Sequence, residues 1–224
     1  MLSIIEESVF DTECDILVNT INCRGVMRAG IALEFALRYP KMYEAYVRDC
    51  DSGFVKTGKT YLYVSDGQKI LNFPTKDDYK EPSLLDYLID GLRYFVEHYK
   101  EYNAKSIAFP LLGCTNGGLD FEKEVKPIML EYLSEIDMDV FICKNTLLMP
   151  ESVEARMLEK AKNTNVIQII ADLQLDDIST DKLSASIQDV DRFWKLSSSK
   201  MVGSIDNYIK LWNYHYLKIK GEFK

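Results

Sequence analysis

The chain has 224 residues, more than one domain of ordinary size and fewer than two, so one domain with an appendage is expected. A net charge of −8 and a pI near 4.9 exclude a polybasic binder, although an acidic enzyme still acts on nucleic acid through one local patch. Five widely spaced cysteines without a CxxC pair argue against a disulfide framework or a zinc site, and two histidines leave little for a histidine triad or a multi-histidine metal centre. The cysteines read as reduced thiols of a cytoplasmic protein. No basic region precedes the first apolar residues and no window approaches roughly 18 consecutive apolar residues, so neither secretion nor a membrane span is expected.

Short apolar runs alternate with helical patterns through the first 145 residues. Strands are predicted at Leu2 to Ile5, Ile16 to Ile21, Thr60 to Val64, Ile70 to Phe73, Ser106 to Phe109 and Val140 to Cys143. Between them Ile31 to Tyr39 and Met42 to Asp49 read as helices separated by Pro40. Ser83 with Asp86 resembles a capping box ahead of Leu84, Leu85, Leu88, Leu92, Phe95 and Tyr99, which keep helical spacing. Asp120 is placed to cap a further helix through Leu133. Alternating strands and helices predict a mixed, mostly parallel sheet covered on both faces.

After Cys143 the pattern changes to helical segments near 152 to 162, 165 to 173, 180 to 197 and 204 to 219, with Ser152, Thr180 and Ser204 as available N-caps. Residues 151–224 balance 11 basic against 11 acidic side chains, so the first 150 residues carry the whole negative excess. Pro150 marks the change, dividing the chain into residues 1–149 and a helical extension over 150–224. The last segment mixes Tyr208, Trp212, Tyr214, Tyr216 and Phe223 with Lys210, Lys218, Lys220 and Lys224. At helical spacing such aromatics are first a packing face; stacking on single-stranded nucleic acid or holding a partner are the alternatives.

Three segments place polar or glycine residues just past a strand. The first runs from Val18 to Leu33, VNTINCRGVMRAGIAL; the others are NFPTK, Asn72 to Lys76, and PLLGCTNGGLDF, Pro110 to Phe121. In an open α/β sheet ligands sit outside the carboxyl ends of the strands, so the three segments are expected to meet at one crevice. Asn19 and Asn22 end a buried strand, where an amide needs a partner in backbone or ligand; stabilising the turn is the plainer role. Gly25 and Gly30 frame a loop that opens a helix at Ile31, suited either to a diphosphate at the helix N-terminus or to an ordinary turn. Gly113, Gly117 and Gly118 are more glycine than a strand-to-helix turn needs, and two such loops suit a ligand with two phosphates. Lys76 stands at the crevice mouth. There a lysine attacks a ring-opened sugar aldehyde or stabilises charge at an anomeric carbon, whereas elsewhere it would be a solvated surface charge.

Together VNTxNCxGVM, FPTK and LGCxNGGLD, spanning about residues 1 to 147, resemble the macrodomain superfamily. Within it they are similar to the branch of DNA ADP-ribosyl glycohydrolases (DarG) that serve as antitoxins of DarT and DarG pairs, and to the terminal ADP-ribose glycohydrolase branch. The resemblance implies a three-layer α/β/α fold that binds ADP-ribose, with no metal and no cofactor beyond ADP-ribose as ligand and product. It implies that Ser8 and Val9 lie by the adenine, and that Asn22 holds the distal ribose and joins Lys76 in catalysis. Asn19, Thr20 and Ile21 lead into the site, and Gly25, Val26, Met27, Arg28, Gly30 and Ile31 wrap one side of the diphosphate. Thr75 precedes the lysine, and Leu112, Gly113, Cys114, Thr115, Asn116, Gly117, Gly118 and Leu119 wrap the other side. Asp120 is read as a helix cap.

Two departures stand out. Where the family has GVMGKGIA this chain has GVMRAGIA, so Arg28 must turn away, shift the loop or reach a phosphate as a bidentate donor. After Lys76 the family carries basic and aromatic residues, whereas this chain has Asp77, Asp78 and Tyr79, two carboxylates expected to repel a DNA backbone. The implied activity is removal of mono-ADP-ribose from a macromolecule, foremost nucleobases of DNA, against a cognate ADP-ribosyltransferase toxin as partner. The alternatives are a reader that binds ADP-ribose without turnover, favoured by Arg28, and a hydrolase of ADP-ribose 1″-phosphate or O-acetyl-ADP-ribose, favoured by the two aspartates.

Overall fold

The computed structural model describes residues 1–65, 67–144, 159, 163, 165–174 and 210. Six strands form one sheet: β1 (Leu2–Ile5), β2 (Ile16–Asn22), β3 (Tyr61–Ser65), β4 (Gln68–Lys76), β5 (Ser106–Pro110) and β6 (Asp139–Cys143). Their order is β1-β6-β5-β2-β4-β3, parallel throughout except for β3, which runs antiparallel to β4. Parallel strands are buried on both faces and so read as continuous apolar runs, as β2 and β5 do. Because β5, β2 and β4 are parallel neighbours, their carboxyl ends deliver Pro110, Asn22 and Lys76 to the same edge of the sheet.

Helices cover both faces, giving the expected three layers. On one side α3 (Leu85–His98) and α4 (Lys126–Leu133) bury Leu88, Leu92, Phe95, Met129 and Leu133 against Ile16, Val18, Leu71, Phe73, Ile107 and Phe109. Gly91 is needed in α3 because a Cβ there would come within 2.5 Å of the Phe73 ring. On the other side α1 (Gly30–Arg38) and α2 (Pro40–Asp51) bury Phe35, Met42 and Tyr46 against Leu17, Ile21 and Ile70. Pro40 does not merely separate these helices. It occupies the first turn of α2, where its missing N–H costs no hydrogen bond.

Two local expectations change. β4 runs on through Pro74 to Lys76, because pairing with β3 ends at Asn72 and the strand continues against β2 alone. The Ser83 and Asp86 capping box does not form. α3 begins after Leu84 without a side-chain cap, and the Ser83 N–H instead donates to the Gly117 carbonyl at 2.9 Å. Asp120 does cap: its carboxylate accepts from Lys123 N at 3.0 Å, while Glu124 accepts from Asp120 N at 2.7 Å. A π-turn over Phe121–Val125 intervenes before α4, moving the reciprocal glutamate one place beyond the usual third position.

Contacts divide the chain into two units, Met1–Leu147 and Leu148–Lys224. In the second, α5 (Val166–Leu173) is capped by Asn165, whose side chain accepts from Ile167 N at 2.9 Å. Lys210 Nζ donates to the Gln174 carbonyl. Apart from single positions, the predicted segments near 152 to 162, 180 to 197 and 204 to 219, with the other aromatic and lysine residues of the last, lie outside the described residues. Among the described residues no helix is long and apolar enough to cross a membrane.

Candidate functional site

The site begins inside the sheet. Side chains alternate along β2, so Ile16 and Val18 face α3 and α4 while Leu17, Asn19 and Ile21 face α1 and α2. Asn19 lies in register with Asn72 of β4, and its Nδ2 donates to Asn72 Oδ1 at 2.9 Å. Both residues are almost wholly buried, and Met27 closes over them with its sulfur 3.9 Å from Asn19 Nδ2. Asn19 therefore ties the two central strands together just before their carboxyl ends.

Asn22 organises the turn that follows. Its Oδ1 accepts from Arg24 N at 2.9 Å and from Val26 N at 3.4 Å, and its Nδ2 donates to the Val26 carbonyl at 2.6 Å. From beneath, the Tyr46 hydroxyl donates to the Asn22 carbonyl at 2.8 Å and lies 3.1 Å from Oδ1. Burial pushes the Tyr46 phenol far above its ordinary range, so it remains a neutral donor. The loop then reaches α1, whose N-terminus carries no side-chain cap. Its first N–H groups are left for a ligand or water.

A register jump supplies the decisive juxtaposition. β2 and β4 pair as Ile21 with Pro74 and then Asn22 with Lys76, passing over the buried Thr75. Lys76 is thereby set opposite Asn22, half-buried, with its Nζ donating to the Asn116 carbonyl at 2.6 Å. Asn116 also reaches the first loop: a Cβ on Gly30, whose φ is +55°, would lie 2.7 Å from Asn116 Nδ2. Asn22, Lys76, Gly30 and Asn116 thus bring the three segments to one place.

The second glycine loop has a different basis from the one expected. A side chain at Gly117 would collide with the Gly113 carbonyl and the Ser83 hydroxyl, and one at Gly113 would meet Leu119 and Ser83 at 3.0 Å. These two glycines let the loop pack on the segment before α3. Thr115, Asn116 and Gly118 are the exposed positions, while Leu112 is in the core and Cys114 is half-buried. In the first loop Arg28 is exposed and Met27 buried, Thr20 and Ile31 are half-buried, and Ile21 is core. Ser8 caps the turn Val9–Asp11 by accepting from Phe10 N at 3.3 Å, and Val9 is buried. Val9, Ile21, Met27 and Leu112 are buried, so their side chains serve the core.

Thiol chemistry is poorly placed here. Burial, helped by Asp77, pushes Cys23 up to about 11, and burial with Asp120 and Glu124 pushes Cys114 up to about 11. Both stay protonated near neutrality, which leaves Lys76, paired in register with Asn22, as the candidate reactive side chain.

A Macro domain model matches residues 18–128, and the macrodomain of Mycobacterium tuberculosis DarG superposes with a TM-score of 0.62 at 37% identity, over 64% of this chain and 97% of that one. The chain belongs to the macrodomain family. The DNA ADP-ribosyl glycohydrolase of M. tuberculosis is 43% identical over 136 residues, which are 59% of this chain and 38% of that protein. Thermosipho africanus DarTG in complex with ADP-ribose matches at 31% identity and a TM-score of 0.59, over 66% of this chain and 43% of that one. This macrodomain protein thus spans about two-fifths of the length of the curated relatives it matches.

Three contributors to the macrodomain site escaped the sequence reading: Asn72, Tyr46 and Ser83. Asn72 had a visible signal, a polar residue inside an apolar strand. Tyr46 and Ser83 had none, because each acts on a segment more than 20 residues away. Outside the site, at its rim, Arg24 pairs with Asp77, Nη2 to Oδ2 at 2.6 Å, and with Asp78, Nε to Oδ2 at 3.7 Å.

Proposed function

We propose that this macrodomain hydrolyses the bond joining mono-ADP-ribose to a nucleobase of DNA, reversing a DarT-like ADP-ribosyltransferase. The observation that carries the reading is Lys76 held opposite Asn22 at the mouth of the crevice. Asn22 orients the distal ribose, and the uncapped N-terminus of α1, Arg28 and the exposed Thr115, Asn116 and Gly118 receive the diphosphate. Water adds to the anomeric carbon as its bond to the base breaks. In that route the Lys76 ammonium stabilises charge at the carbon and the proton of the water passes to the departing base. In the other the Lys76 amine attacks the same carbon of the ring-opened sugar, the base leaves with the amine's proton, and water hydrolyses the resulting imine to ADP-ribose and free lysine. The reading invokes no cofactor or metal, and ADP-ribose is the product. It assigns the activity to residues 1–149, with 150–224 as a helical appendage, and places the protein in the cytoplasm with a cognate toxin as partner. The relatives named for DNA ADP-ribosyl glycohydrolase activity support it.

The test is incubation with ADP-ribosylated single-stranded thymidine oligonucleotide. Wild type is expected to release ADP-ribose, and Lys76→Ala to lose about 10²–10⁴-fold in rate while calorimetry still records ADP-ribose binding. Binding without release by wild type from this substrate would remove DNA from the proposal. Absence of binding would remove the whole reading. Borohydride trapping of protein on the sugar separates the two roles of Lys76.

A further inference from the structure

The turn after Lys76 looks hostile to a polyanion in sequence, and its side chains correct that impression. Asp77 and Asp78 both face Arg24, which crosses from the first loop to reach them at 2.6 and 3.7 Å. The same two segments are tied by backbone, since Cys23 N donates to the Asp77 carbonyl at 3.0 Å. Just beyond, Tyr79 is 46% exposed with Lys80 Nζ 5.5 Å from its ring centroid, and Glu81 ends the turn in solvent. Arg24 and Asp77 are themselves about half exposed, so their pairing contributes little to stability. Its effect is on the local field at the rim.

We infer that Arg24 is a specificity-determining residue: by offsetting Asp77 and Asp78 it lets the turn beside Lys76 accept a single-stranded nucleic acid, with Tyr79 as a stacking surface for a flanking base and Lys80 as a phosphate partner. This rests on the proposed DNA substrate. It also weakens the reason for preferring a small metabolite, since one guanidinium offsets half of the charge that the two carboxylates carry. Arg24 acts through its neighbours and does not itself hold the ADP-ribose.

The test compares Arg24→Gln, Asp77→Asn/Asp78→Asn and the triple variant on ADP-ribosylated single-stranded oligonucleotide at several salt concentrations. Arg24→Gln is expected to raise KM about fivefold at low ionic strength, with the deficit closing as salt screens the exposed carboxylates. Its kcat and its affinity for free ADP-ribose stay at wild-type values. The triple variant returns KM close to wild type. A triple variant as weak as Arg24→Gln would show that Arg24 contacts the DNA directly and overturn the inference, as would a salt-independent deficit or none. Wild type that binds ADP-ribose but leaves the oligonucleotide modified overturns the proposed substrate, and this inference falls with it. Activity on DNA with KM unmoved in Arg24→Gln overturns only the role of Arg24.

Discussion

The two faces of the central sheet are built from the same strands and differ in what they bury. Toward α3 and α4, β2 and β4 present Ile16, Val18, Leu71 and Phe73. Toward α1 and α2 they present Leu17, Ile21 and Ile70, but between these lie Asn19 and Asn72, joined at 2.9 Å, with Asn22 and Tyr46 hydrogen-bonded at the carboxyl end. A buried amide costs free energy unless paired, so a polar seam there is a cost to folding that an apolar pair would avoid. The seam leads directly to Asn22 and the loop toward α1. One face supplies cohesion, and the other holds the Asn22 turn at the carboxyl end of the sheet.

The contrast between the faces breaks most sharply at Phe95, which packs edge-on against Phe109 with ring centroids 5.5 Å apart. Phe95→Ala is expected to cost about 3–5 kcal/mol in denaturant unfolding through cavity formation, while the protein that remains folded binds ADP-ribose as wild type does. A comparable loss of affinity would mean that the α3 face also shapes the site. Next is Asn72→Leu, which takes away the oxygen that accepts from the buried Asn19 Nδ2 and should cost about 1–3 kcal/mol. Adding Asn19→Leu removes the stranded partner and should recover most of that loss, an outcome visible as strong coupling in a double-mutant cycle.

The fold was largely legible because burial on both faces writes itself as apolar runs, and five of the six strands begin or end within a residue or so of expectation. β4 was read short because Pro74 resembles a terminator, and only the place where β3 stops shows why it is tolerated. The capping box was misread for a physical reason as well: Ser83 is engaged by Gly117, a residue its own neighbourhood cannot reveal. Asn22, Lys76 and both glycine loops were legible as types of residue at strand ends. Their mutual placement was not, since it depends on the register jump at Asn22 and on Asn116 touching both Lys76 and the Gly30 position. Arg24 shows the same limit most clearly. Asp77 and Asp78 in isolation read as repulsive, and the countercharge comes from 53 residues earlier in the chain.

Tyr46→Phe sharpens the comparison on the polar face alone. It deletes the donor beneath Asn22 without changing shape, so stability should fall by about 0.5–1.5 kcal/mol. ADP-ribose affinity, read by calorimetry, should weaken severalfold because the Asn22 turn loses its fixed position. A stability change with unaltered affinity would mean that loop contacts alone hold Asn22.

The smallest effect belongs where the second glycine loop passes into α4. Asp120 caps the π-turn that leads into α4, and the hydrogen bond from Lys123 N, with the Lys123 ammonium adding to it, holds its carboxyl below the ordinary value of 3.8. A carboxylate depressed in the folded state adds stability above its unfolded pKa and loses it as pH falls through the folded one. Asp120→Asn keeps a capping oxygen and removes only the charge. The melting temperature of wild type should therefore exceed that of Asp120→Asn slightly at neutral pH, and the two should converge as pH drops below 3.8. Because the cap is exposed, raising salt at neutral pH should also narrow the gap. A gap that persists in acid and in salt would mean that the substituted amide cannot adopt the capping geometry, and the charge would then not be what Asp120 contributes.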